Sequence, residues 1–178
     1  SVLMFTTTAR CVLILTPHGG AAGRRYIPDR AEPPRMYGTI LVPTDGSTHS
    51  DAALDHAVDL ARHHDATVHV LYVADTNRDS LTTQRGEVVD ALEQEGDRVV
   101  SEALDRVAAG VDVVDAVETG DPVETILDYA DAVDADLVVM GTHGRRGLDR
   151  YLLGSVTERV VRTAGVPVMT VHAPEDDQ

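Results

Sequence analysis

Val138-Val139-Met140-Gly141-Thr142-His143-Gly144-Arg145-Arg146-Gly147-Leu148-Asp149-Arg150-Tyr151-Leu152-Leu153-Gly154-Ser155-Val156-Thr157 opens as a short apolar run and closes on a helical pattern. The run, Leu137 to Met140, shows no alternation, which suits a strand buried on both faces of a parallel sheet. Glycines stand at 141, 144, 147 and 154, and Ser155 comes directly after the last. Beyond Ser155 the apolar residues Val156, Val160, Val161 and Ala164 fall at helical spacing. The order is therefore strand, glycine-rich loop, helix start. Glycine brings backbone N–H groups close to a ligand without a Cβ in the way. A helix start adds unpaired N–H groups and a partial positive charge. Together they make an anion site, most often for phosphate.

Two common phosphate motifs do not fit. A P-loop needs Gly-Lys-Ser/Thr, and the chain contains no lysine. The dinucleotide fingerprint comes after the first strand of its fold, whereas this loop comes after a late one. The spacing is Gly141-x2-Gly144-x9-Gly154-Ser155. It resembles the ATP-binding signature of the universal stress protein family, with the glycine spacing and the final hydroxyl both in place. The alternative is an ordinary strand-to-helix loop with turn glycines.

Working outward, strand and helix patterns alternate from Met36. Thr39 to Pro43 reads as a strand, Thr44-Asp45-Gly46-Ser47 as a turn, and Ser50 as the cap of a helix that ends near His64. Thr67 to Val73 is a second strand, and a polar loop from Asp75 to about Arg85 leads to a long helix that ends before Gly110. Val111 to Val117 is a third strand, succeeded by a helix with Asp121 as cap and Pro122 at its first position. Leu137 to Met140, the helix from Gly154 to Thr163, and the strand Pro167 to Val171 complete the series. This alternation predicts a three-layer α/β sandwich: an open five-stranded parallel sheet, covered on both faces, with right-handed crossovers.

Residues 1–35 differ from the rest of the chain. Five arginines stand there against Asp29 and Glu32, with Gly19-Gly20, Pro28 and Pro33-Pro34 and no sustained period. The segment reads as a disordered extension or a product of an upstream start, leaving residues 36–173 as the domain and 174–178 as an acidic tail. Cys11-Val12-Leu13-Ile14-Leu15 is apolar but too short to span a bilayer. Cys11 is the lone cysteine, so no disulfide framework exists, which fits a cytoplasmic protein.

The 178 residues suffice for one well-formed core, but aromatics are only 3%, so aliphatic residues and alanine must fill it. The net charge is −15 and every basic residue other than histidine is arginine. Such an acidic, lysine-free composition resembles proteins of halophilic archaea, whose surface charge is screened by salt; a GC-rich genome is the other explanation. The charge excludes nucleic acid and anionic membrane as natural partners. No His-x3-His pair occurs, and adjacent His63 and His64 point to different sides of a helix, so spacing offers no histidine metal site.

The family resemblance runs from Met36 to about His172, and Ile40-Leu41-Val42-Pro43-Thr44-Asp45-Gly46-Ser47 is its second familiar element. It implies strand order 3-2-1-4-5, an adenine nucleotide alpha hydrolase-like, Rossmann-like arrangement. That order puts the switch point between the first and fourth strands, with Pro43, Thr44 and Asp45 beside Met140 and Gly141. It also implies that Asp45 lies by adenosine and triphosphate, that Val73 contacts adenine, and that Gly141, Gly144, Gly154 and Ser155 bind phosphate and ribose. Pro43, Thr44, Met140, Arg145, Val156 and Thr157 complete the ATP-binding set that the resemblance implies, and Mg2+ rides on the phosphates. Simpler roles exist: Asp45 as a turn aspartate, Ser155 as a helix cap, and Arg145, Arg146 and Arg150 as solvated charges.

The function implied is an ATP-binding stress-response switch. The alternatives are a slow ATP hydrolase and a structural dimer with an unused pocket. No nucleophile–base pair or Walker lysine supports catalysis. Residues 167–171, a largely apolar strand expected at a sheet edge, are the expected homodimer interface.

Overall fold

The computed structural model describes residues 3–5, 12–15, 36–75, 85–107, 110–143 and 153–173. The strands are β1 (Leu3–Phe5), β2 (Val12–Leu15), β3 (Thr39–Thr44), β4 (Thr67–Asp75), β5 (Asp112–Gly120), β6 (Leu137–Gly141) and β7 (Val168–Val171). The helices are α1 (Thr48–His64), α2 (Arg85–Arg106), α3 (Pro122–Ala132) and α4 (Ser155–Thr163). All described strands join one sheet, ordered β1-β2-β7-β6-β3-β4-β5. The pairs from β5 through β7 are parallel, and numbering those five strands in chain order gives 3-2-1-4-5.

Side-chain alternation divides the core into two layers. Ile40, Val42, Val68, Val70, Leu137 and Val139 pack with Leu54, Ala57, Val58 and Ala61 of α1 and Ala103 of α2. Their neighbours Leu41, Leu71, Val138 and Met140 point the other way, to Val123, Ile126 and Ala130 of α3 and Val160 of α4. Each of the larger aliphatic side chains contributes about 1.5–3 kcal/mol by leaving water. The two central strands β3 and β6 therefore carry continuous apolar runs, because neither of their faces is wet.

The two flanks of the parallel sheet differ. β5 leaves Asp112, Asp115 and Glu118 exposed, and charge along an edge deters pairing with another chain. β7 is buried along its length. Within residues 1–35, the described residues 3–5 and 12–15 form strands that the expectation of a disordered extension does not include. β2 pairs antiparallel with β7, Leu13 opposite Thr170 and Leu15 opposite Val168, and β1 pairs with β2. The apolar strand expected to receive a second copy is thus covered by the chain's own N-terminal segment. The physical reason is the same one that suggests a dimer: unpaired N–H and C=O groups on an apolar strand recruit a partner strand.

Local chemistry sets the helix starts. Asp121 accepts from Val123 N (3.0 Å) and Glu124 N (3.2 Å), with Pro122 behind it, as the sequence predicts for α3. For α1 the cap is Ser47, one turn earlier than expected; its Oγ accepts from Ser50 N at 3.2 Å. Ser50 is instead buried within the helix, and its hydroxyl donates back to Ser47 O at 2.9 Å. At the opposite end of the sheet Asp136 Oδ2 accepts from Gly38 N (2.7 Å) and Thr39 N (3.0 Å), fixing the entry of β3 beside β6.

Candidate functional site

β3 runs in register with β4 from Thr39 opposite Thr67 to Thr44 opposite Tyr72. With β6 it pairs only at Ile40–Leu137 and Leu41–Val138. Past that point the two central strands are no longer laddered, and their carboxyl ends border the place where the strand order reverses. In open α/β sheets this is where ligands bind.

The β3 side of the switch is a locked turn. Asp45 Oδ1 accepts from Ser47 N at 3.1 Å, and Thr44 Oγ1 accepts from Gly46 N at 3.1 Å while donating to Ser50 Oγ at 3.2 Å. Gly46 has φ 72°, a left-handed conformation that glycine adopts without strain. The turn role of Asp45 is therefore realised, and its carboxylate sits half-exposed at the strand end. Pro43 and Thr44 are buried.

The β6 side is built around Gly141. A Cβ there would stand 2.8 Å from His49 C and 2.8 Å from His49 Cβ, so glycine is what lets the first turn of α1 lie on the strand end. Thr142 N donates to Val171 O at 2.8 Å, extending the β6–β7 ladder. Gly154 N donates to Thr142 O at 2.7 Å, and the buried Thr157 Oγ1 donates to Gly141 O at 2.9 Å. These two bonds bring the N-terminus of α4 onto the end of β6. Gly154 is the N-cap residue, and among the described residues no side chain caps the helix. Ser155 is the first helical residue, exposed, and not the cap that its position suggests.

The residues predicted for the site thus divide. Gly141, Gly154, Ser155, Val156 and Thr157 come together at the end of β6, with Pro43, Thr44 and Asp45 at the end of β3. Met140 is buried among Val160 and Val168, so its side chain serves the core. Val73 and Val156 are half-buried against the same apolar layer. Gly144 and Arg145, like Arg146 and Arg150, lie outside the described residues.

A histidine cluster adjoins this end of the sheet. His49 of α1, His143 after β6 and His172 after β7 each offer a ring nitrogen, all within 4.8 Å of one another. Ring centroids are 5.3 Å apart for His49–His143, 5.0 Å for His49–His172 and 6.0 Å for His143–His172. The Thr142 hydroxyl lies 2.9 Å from His172 Nδ1 and 3.1 Å from His143 Nδ1. Burial holds the His49 pKa below its usual value, and the neighbouring His172 and His143 lower it further, against an opposing pull from Asp45. Sequence spacing carries no sign of this cluster, because its members come from three segments that meet only through the sheet order.

Residues 36–172 match the Universal stress protein family. Universal stress protein MJ0531 of Methanocaldococcus jannaschii is 37% identical over 150 residues, covering 80% of this chain and 86% of that protein. The structure of universal stress protein UspA from Lactobacillus plantarum superposes with a TM-score of 0.69 at 29% identity, covering 76% of this chain and 97% of that one. A universal stress protein crystallised in complex with cAMP gives a TM-score of 0.62 at 31% identity, over 78% of this chain and 99% of that one. No helix among the described residues is long and apolar enough to cross a membrane. The sheet order, the glycine-spaced strand end and the match across the whole span from β3 to β7 agree, and the chain belongs to the Universal stress protein family.

Proposed function

We propose that this protein binds ATP, with Mg2+ on its phosphates, across the ends of β3 and β6 and acts as a nucleotide-dependent stress-response switch. The observation that carries this reading is the start of α4. It lies at the switch point of the sheet, and among the described residues no side chain caps its first turn. The N–H groups of Ser155, Val156 and Thr157, with the positive end of the helix dipole, suit a phosphate group. The similarity to a relative crystallised with cAMP supports an adenine nucleotide. Asp45 and the half-buried Val73 stand at the ends of the adjacent strands β3 and β4, on the side where a base and ribose would extend. Association of two copies through β7 would first require β2 to leave that strand.

Titration calorimetry with Mg-ATP and Mg-GTP tests the reading. ATP should bind at least about tenfold more tightly than GTP, a difference of about 1.4 kcal/mol. Gly144→Val, which places a branched side chain where the motif brings backbone to phosphate, should weaken ATP by a similar factor or more. Equal ATP affinity in wild type and variant would overturn the assignment.

A further inference from the structure

We propose that His49, His143 and His172 form a zinc site: three neutral imidazoles bind Zn2+ and a water molecule completes the tetrahedron. The geometry fits the metal. With Zn–N at about 2.0–2.1 Å, a coordinated ring centroid lies about 3.2 Å from the ion, and two such rings at a tetrahedral angle lie about 5.2 Å apart. The observed centroid separations are 5.0, 5.3 and 6.0 Å. The ligand atoms, now within 4.8 Å of one another, need to close to about 3.3 Å, a change that side-chain rotation supplies.

The scaffold holds the three residues in place. His49 sits in the first turn of α1, whose backbone rests directly on Gly141. His143 and His172 come after strands whose ends are tied by Thr142 N to Val171 O at 2.8 Å. Thr142 Oγ1 also contacts Nδ1 of both rings. A hydroxyl oxygen has two lone pairs, which is room for an Nδ1–H from each ring. In that tautomer Nε2 is the ring nitrogen that ligates metal, and Thr142 acts as the outer partner that orients the two rings. The chemistry of the donor set selects the ion. Three imidazoles suit zinc and its first-row neighbours, whereas Mg2+ and Ca2+ demand oxygen. All three residues are half-buried, which leaves an open side for the fourth ligand, as in three-histidine zinc sites. The site requires no nucleotide, so it stands apart from the ATP reading.

Untagged full-length protein, stripped with chelator and titrated with ZnCl2 in a calorimeter, should bind one equivalent. Thr142→Val should weaken zinc by about 10–100-fold, the usual cost of losing an outer-shell partner. His49→Ala, His143→Ala and His172→Ala should each cost more. The surface pair His63→Ala/His64→Ala should bind as wild type does. Far-UV circular dichroism of the metal-free variants separates a lost ligand from a lost fold. X-ray absorption on the zinc-loaded wild type needs no variant and should show three imidazole scatterers. Fewer than three, no stoichiometric binding, or binding lost only in the His63/His64 variant would overturn the proposal.

Discussion

α1 and α3 begin with side chains bonded to their first amides; among the described residues, α4 begins without one. Location does not separate them. All three come after a strand and start at the same end of the sheet, as the β-α order requires. What differs is the residue at the cap: Ser47, Asp121 and Gly154. A capped start satisfies the orphan N–H groups with the protein's own oxygen and adds about 1 kcal/mol to stability. A start without a side-chain cap forgoes that and keeps donors available for an external anion. The contrast teaches that the helix of the glycine motif is set apart by what its first turn lacks.

The largest effect should come from the strand end on which α1 is seated. Gly141→Ala places a methyl 2.8 Å from the His49 backbone, so α1 must shift. Overpacking of this kind costs about 1–3 kcal/mol. Urea denaturation should show that loss, and zinc and ATP titrations should both weaken, because the His49 ring and the switch point move together. Unchanged stability would mean that α1 is not held there. Cap removal comes next. Ser47→Ala and Asp121→Ala should each cost about 1 kcal/mol. Asp121→Ala should leave ATP affinity nearly unchanged, since α3 starts beyond β5 and, among the described residues, Asp121 reaches α4 only through a partly exposed ion pair with Arg159 at 4.0 Å. A parallel drop in ATP affinity would show that the capped starts are not purely structural.

Much of this contrast is legible in the sequence. Asp121-Pro122 ahead of Val123, Ile126 and Ala130 predicts a capped helix because cap, first-turn proline and apolar spacing agree. The central strands β3 and β6 are legible because a buried strand between helices has to be a short apolar run. Sequence alone puts the cap of α1 one turn late, since Ser47 and Ser50 are both good cap residues and only the folded turn shows which amide each meets. β1 and β2 escape a pattern-based reading because they are short and, unlike β7, do not stand in the strand–helix alternation that marks the rest. The strand they build onto, β7, lies more than a hundred residues away in sequence. The histidine cluster is hidden for the same reason: 49, 143 and 172 share no local spacing, and only the sheet order joins them. The motif assigns Gly141 to phosphate approach, yet the contact that demands glycine there is with His49. Non-local contacts of this sort leave no periodic trace.

The smallest expected change in stability is the most direct test of the comparison. Gly154 has φ −56° and ψ 147°, the extended conformation of an ordinary N-cap, so other residues fit its backbone without strain. Gly154→Asp gives α4 the cap that α1 and α3 already have. Relative to glycine the gain is a few tenths of a kcal/mol from the hydrogen bond, with about 0.3–1 kcal/mol more from a negative charge at the positive end of the helix. Chemical denaturation should therefore show a slightly more stable protein. The same carboxylate takes the amides offered to phosphate and repels it, so ATP affinity should fall by at least about tenfold. Gly154→Asn supplies the cap without the charge. It should match the hydrogen-bond part of the gain and weaken ATP less, and raising salt should narrow the gap between the two variants. A gain in stability with ATP affinity unchanged would break the comparison, because the first turn of α4 would then be left uncapped for no ligand.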